Sequence, residues 1–148
     1  MIVPTSNIKI LVVTLDDRLK FDTHVSNMCK TAAGQINALK RLAKYLNERN
    51  RVLIYKSFIS SNFNYCPVSW MFCGQTNANK LEKLQERALR FVYNDSSAPY
   101  TELLKRGNFL SLSAYRIRNL ATKTFRCYRG INPMYLNDLF QHRDIKYD

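Results

Sequence analysis

The sequence predicts a mainly α-helical protein, a helical bundle preceded by one β-strand. Two observations carry that prediction. Apolar residues recur at three- and four-residue steps through most of the chain, the spacing that lines one face of a helix. Only one run, "IKILVVTL" from Ile8 to Leu15, has the β-branched density of a strand. With 148 residues, 46% of them hydrophobic, and only four glycines and four prolines, the chain can bury a core of its own without disulfides or metals. The division expected is a strand segment over residues 1–16 and a helical domain over 17–148.

The lone strand cannot satisfy its own edges, so it must pair outside this chain or lie back as an extended arm. After it, Asp22 is placed to cap a helix from about Thr23 to Tyr45. Val25, Met28, Cys29, Ala32, Ile36, Leu39 and Ala43 form its apolar stripe. Lys30, Lys40, Arg41 and Lys44 fall together beside that stripe at about 100° per residue. Asn47 or Asn50 caps a second helix, which ends near Asn64 because Pro67 disfavours helix at the residue before it.

The stretch "SFISSNFNYCPVSWMFC", Ser57 to Cys73, holds five aromatic residues and two cysteines in seventeen positions. Ser60, Ser61, Asn62, Asn64, Pro67 and Ser69 interrupt it too often for a membrane span, which needs about twenty apolar residues. It reads as core, with Trp70, Met71 and Phe72 facing inward and Cys66 and Cys73 as inert buried thiols. A third helix covers Asn79–Tyr93 and a short one Tyr100–Arg106, closed by Gly107. Ser111 caps a long helix that Gly130 ends, and Pro133 opens one more short turn.

Lys and Arg number 23 against 11 Asp and Glu, a net charge of +12 that favours anionic partners. From Lys105 to Arg129 there are seven basic residues and no acidic one. Arg116, Arg118, Lys123, Arg126 and Arg129 occupy one arc of about 160° on the long helix. Ile117, Leu120, Ala121, Thr124 and Tyr128 occupy the opposite arc. The expectation is a helix that buries its apolar side and presents a cationic stripe. Nucleic acid fits best, held through its phosphates rather than read by base edges.

Little else suggests chemistry. Asp16-Asp17 is the only adjacent carboxylate pair, but it leads straight to a helix without a second strand, so it reads as strand exit rather than a two-metal site. The two histidines, His24 and His142, are not spaced with the cysteines as zinc ligands, and His24 reads as a surface or capping residue. There is no Gly-rich phosphate loop. No metal, cofactor or small-molecule substrate is expected. Nor is a membrane span or signal peptide, so the chain is expected to be intracellular, cytoplasmic or nuclear, with free thiols.

Six motifs in order, "IKILVVTLDDRLKFDTHV", "LKRLAKYL", "IYKSFISSNFNYCPVSW", "KLEKLQERALRFVY", "LLKRGNFLSL" and "GINPMYLNDLF", resemble the C-terminal part of the reverse transcriptases of non-LTR, jockey-like retrotransposons. The resemblance spans about Ile8 to Phe140. It implies that the strand is a remnant of the palm and its primer grip, with Val12, Val13 and Thr14 in the grip position. It also implies that the helices are the thumb and its C-terminal extension, clasping an RNA–DNA hybrid. On that basis Lys30, Lys40 and Lys44 are the expected hybrid contacts. Where the family carries Leu-Gly-Val before the acidic pair, this chain has Leu11-Val12-Val13. The fingers, the palm and the catalytic aspartates have no counterpart here. The expectation is a truncated copy or fragment that binds nucleic acid and does not polymerise. A stand-alone helical module binding an acidic partner, or an element relic without function, are the alternatives.

Overall fold

The computed structural model describes residues 6–137. His142 and the last residues of the sixth motif lie outside them. The fold is a helical bundle with a small β element at its front, as the periodicity predicts. The β element differs in detail. Ile8–Leu15 is not one strand but a hairpin, β1 (Asn7–Ile10) and β2 (Val13–Asp16), antiparallel with Ile10 opposite Val13. The strand therefore finds its partner within its own run, without an outside chain. Alternation and β-branching cannot reveal this, because the reversal falls on Leu11 and Val12, at φ 45° and 76°. Two-residue hairpin loops favour such angles but usually recruit Asn or Gly to supply them.

Asp16 ends β2 and folds the chain into the first helix. Its carboxylate accepts backbone N–H groups of Arg18, Lys20 and Phe21. The Lys20 N–H contributes most to holding it below the usual carboxylate range. The helix α1 runs Asp22–Leu42 and continues as a 3₁₀ turn, Ala43–Tyr45. Asp22 is its first residue rather than its cap. Phe21 precedes it in the left-handed region, and Asp22 Oδ1 instead accepts from Asn77 Nδ2 at 2.6 Å. Val25, Met28, Ala32, Ile36 and Leu39 are buried, as their spacing requires.

Asn47 caps α2 (Glu48–Ile54), its side chain accepting from the Asn50 N–H at 2.9 Å. A wide π turn (Tyr55–Ile59) and α3 (Ser60–Asn64) carry the same helix onward. The wide turn offsets the drift of about 40° that a four-residue step accumulates in a regular helix. Tyr55, Ile59 and Phe63 consequently all reach the core with no exposed surface. The segment after Tyr65 buries Trp70 and Cys73, but Phe72 is 79% exposed and Cys66 is exposed. Their inward placement is thus corrected: short turns here, not a regular helix, decide which side chains enter.

α4 (Gln75–Tyr93) lies beside α1 and runs parallel to it. Asp22 meets Asn77, Asn37 meets Arg87, and Lys40 meets the Phe91 ring, so residue numbers rise together. α5 (Tyr100–Arg106) ends at Gly107, where an added Cβ would collide with the Phe109 ring and the Tyr93 hydroxyl. α6 (Leu112–Tyr128) starts at Ser111, whose hydroxyl accepts from the Ala114 N–H, and stops before Gly130 at φ 66°. Glu82 of α4 reinforces that start. Its carboxylate accepts from the Leu112 and Ser113 N–H groups and from the Tyr100 hydroxyl, a negative charge at the positive end of a helix. α7 (Met134–Asn137) follows Pro133. Among the described residues, no helix is long and apolar enough to cross a membrane.

Candidate functional site

The parallel α1/α4 pair sorts charge by face. On α4, Lys80, Lys83 and Arg87 recur at three- and four-residue steps and turn toward α1. Glu82 and Glu86 lie about 100° further round. Glu82 is held at the start of α6, while Glu86 pairs with Arg90 at 2.7 Å. The acids of α4 are thereby engaged away from the α1 side. The groove between the helices is lined by Lys30, Lys80, Lys83 and Arg87, with Cys29 and Leu84 among its apolar residues and no carboxylate.

The basic line extends beyond the groove. Lys40, Arg41 and Lys44 are exposed on the same side of α1 as Lys30, over a helical run of about 21 Å. Arg87 donates to Asn37 Oδ1 at 2.8 Å, while Lys40 sits 5.5 Å from the Phe91 centroid and Lys44 4.7 Å from that of Tyr45. These contacts position the cations without neutralising them. Among the described residues, ion pairs involve only Arg90 and Arg106 as cations. Every basic residue on this line is free of a carboxylate partner.

Lys30, Lys40, Arg41 and Lys44 are legible as candidates in the sequence, whereas Lys80, Lys83 and Arg87 alternate with Glu82 and Glu86 along α4 and do not stand out. The available signal was their separation from Glu82 and Glu86 on the helical wheel. That the Lys/Arg side would face α1 was not readable without the parallel packing.

The α6 stripe is corrected in two respects. Arg116 is not on it: the side chain is buried, its guanidinium 5.3 Å from the Trp70 ring centroid, with Nη1 donating to Cys73 Sγ at 3.3 Å and directed at the Met71 carbonyl at 3.5 Å. Its Nε has no partner. Arg118, Lys123, Arg126 and Arg129 are exposed as expected. The apolar arc, however, is exposed too, with Ile117 at 57%, Phe125 at 59% and Tyr128 at 63%. α6 packs through the edge that carries Leu112, Arg116 and Cys127 instead. Capping by Glu82 and the Arg116–Trp70 stack fix its rotation, and both outrank the apolar arc.

Near the hairpin, Val12 is exposed at the turn tip, Val13 is buried, and the Thr14 N–H donates to His24 Nδ1 at 3.4 Å. Tyr65 donates its hydroxyl to the Leu11 carbonyl at 2.7 Å, pinning the tip over the end of α3. His24 is therefore a buried acceptor rather than a surface or capping residue. Its Nε2 has no partner, and desolvation lowers its pKa.

Among the described residues, no three His, Cys, Asp or Glu side chains gather as metal ligands. Burial pushes the Cys29 thiol up against the opposing pull of Lys80, which keeps it protonated. Burial likewise pushes Tyr55 up to about 12. Asp16 is committed to its turn. What the arrangement can do is hold a polyanion. Compared with family models, with curated proteins and with solved structures, the chain matches none.

Proposed function

We propose that this chain is a non-catalytic, nucleic-acid-binding piece of a retroelement reverse transcriptase, and that it holds an RNA–DNA hybrid by its backbone. The observation that carries binding is the groove in which Lys30, Lys80, Lys83 and Arg87 converge from two parallel helices without a carboxylate among them. Such a surface suits phosphates, because each neutralised phosphate releases condensed counterions. Lys40, Arg41 and Lys44 prolong the track. The resemblance of the six motifs supplies the hybrid as the ligand and the missing palm as the partner. Arg118, Lys123, Arg126 and Arg129 form a second, lesser contact.

The test is fluorescence anisotropy with a labelled RNA–DNA hybrid of arbitrary sequence. The triple variant Lys30→Glu, Lys80→Glu, Lys83→Glu should bind at least ~100-fold more weakly in ~0.1 M salt. Its log–log salt slope should be shallower by about 3. All three positions are exposed, so helicity should be unchanged. Wild-type affinity in that variant would remove the groove from the site. Reversing Lys123 and Arg126 instead should weaken binding less. No nucleotide should be added to a primed template by the chain alone.

A further inference from the structure

α1 and α4 run parallel, so the negative ends of their dipoles coincide where the basic line leaves the groove. One side chain closes that end. Arg51 donates from Nε to the Val92 carbonyl at 2.7 Å, and from Nη1 to the Ala43 and Leu46 carbonyls at 3.3 and 3.1 Å. It thus satisfies terminal carbonyls of both helices, and among the described residues it has no carboxylate partner. Lys40, Arg41 and Lys44 are left exposed beside it. The end of the seam is therefore positive, where uncapped helix ends would repel a phosphate.

Arg51 also fixes what stands at that end. Its two Nη1 bonds flank Tyr45 in the 3₁₀ turn, and its bond to Val92 brings the last turn of α4 beside Ala43. The α4 wall stops just short of Tyr45. The Tyr45 side chain is 74% exposed, with the Lys44 ammonium 4.7 Å from its ring centroid. One ammonium covers one face of a ring at most, so the other face can take a flat partner. The site then has two parts. Along the seam, cations converge from two helices, which suits the backbone of a duplex. Beyond the α4 wall, a cation stands beside an aromatic ring on a braced turn, the combination that holds unpaired strands by phosphate and base.

Given nucleic-acid binding by the groove, on which this rests, we propose that the ligand is a hybrid with a single-stranded extension. Its duplex ends at the last turn of α4, and one strand runs on with its first free base stacked on Tyr45. A continuous duplex would keep its bases inside and leave the ring unused.

The probes are labelled RNA–DNA hybrids of one duplex sequence: blunt, with an extension of about four nucleotides, and with that extension made abasic. The abasic form keeps the phosphates and removes the bases. Extensions are placed at the 3′ end in one set and at the 5′ end in another. In anisotropy at ~0.1 M salt, the base-bearing extension should bind at least ~10-fold more tightly than the abasic one in one polarity. Tyr45→Ala, which alters no charge, should erase that difference and leave affinity for the blunt hybrid within about twofold. Tyr45→Trp should keep the difference, its emission quenched by the base-bearing extension only; Trp70, fully buried, supplies a constant background. The proposal is overturned if bases add nothing over abasic phosphates in either polarity. It is equally overturned if Tyr45→Ala retains the difference or weakens all the hybrids alike. A blunt hybrid that fails to bind at all would instead remove the groove reading, and this one with it.

Discussion

The groove between α1 and α4 and the outer arc of α6 are both basic, yet they were built differently. In the groove, two helices bury their apolar stripes against each other and the remaining cations converge along the seam. On α6, the apolar arc stays out and the cations surround it. The difference lies in what fixes each helix's rotation. α1 and α4 are oriented by Val25, Ala32, Ile36, Leu81, Ala88 and Leu89, all fully buried. α6 is oriented by a carboxylate at its first turn and one arginine on a tryptophan. A helix set by its apolar stripe shows its polar face predictably, and a helix set by polar contacts need not.

Arg116 gives that comparison its largest test. Arg116→Glu puts an unpaired carboxylate against Trp70 and Cys73, which should cost on the order of 3 kcal/mol of folding stability in urea titration. Arg116→Met keeps the volume and loses the orphaned Nε, so it should fall within about 1 kcal/mol of wild type. Lys123→Glu, on the exposed arc, should change stability by less than about 0.5 kcal/mol. Equal, small effects at all three positions would mean that Arg116 does not orient α6. A binding test that reversed Arg116 together with the exposed cations would confuse unfolding with lost contact.

The opposite face of α1 offers a second, smaller contrast. His24 is neutral in the fold because protonating Nδ1 would set a donor against the Thr14 N–H, and Nε2 has no acceptor. Its folded pKa lies below the ordinary 6.5, so the unfolded chain takes the proton first as pH falls. Stability from this residue is whole above about 6.5 and declines below it. The melting temperature should therefore drop between pH 7.5 and 5, and His24→Gln should flatten much of that drop. A wild-type melting temperature rising toward pH 5 would contradict the assignment. Hybrid affinity per folded molecule should barely respond to His24, since the groove lies on the other side of α1.

Much of the fold was legible because caps and stripes act locally. Asn47, Ser111, Gly107 and the α1 stripe each do in the structure what their residue type dictates. The illegible parts depend on distant partners. Glu82 spans about thirty residues to reach α6, and Arg116 reaches back about 46 residues to Trp70. Half of the candidate groove was visible on α1. The other half required knowing that α4 turns its lysines, and not its glutamates, toward that helix.

The hairpin turn provides the smallest prediction. Leu11 and Val12 occupy left-handed backbone that Cβ-bearing residues adopt at a cost of roughly 1–2 kcal/mol, and Val12 is exposed, so its side chain recovers little by burial. Val12→Gly relieves the strain but frees the unfolded chain, an entropic loss of about 0.5–1 kcal/mol. The net should be stabilising by about 0.5–1 kcal/mol, read as a higher urea midpoint at unchanged slope. Val13→Gly in the same hairpin should destabilise, because Val13 is buried and extended. If Val12→Gly instead lowers the midpoint, the reversal does not fall at Leu11-Val12, and the uninterrupted strand from Ile8 to Leu15 becomes the better description.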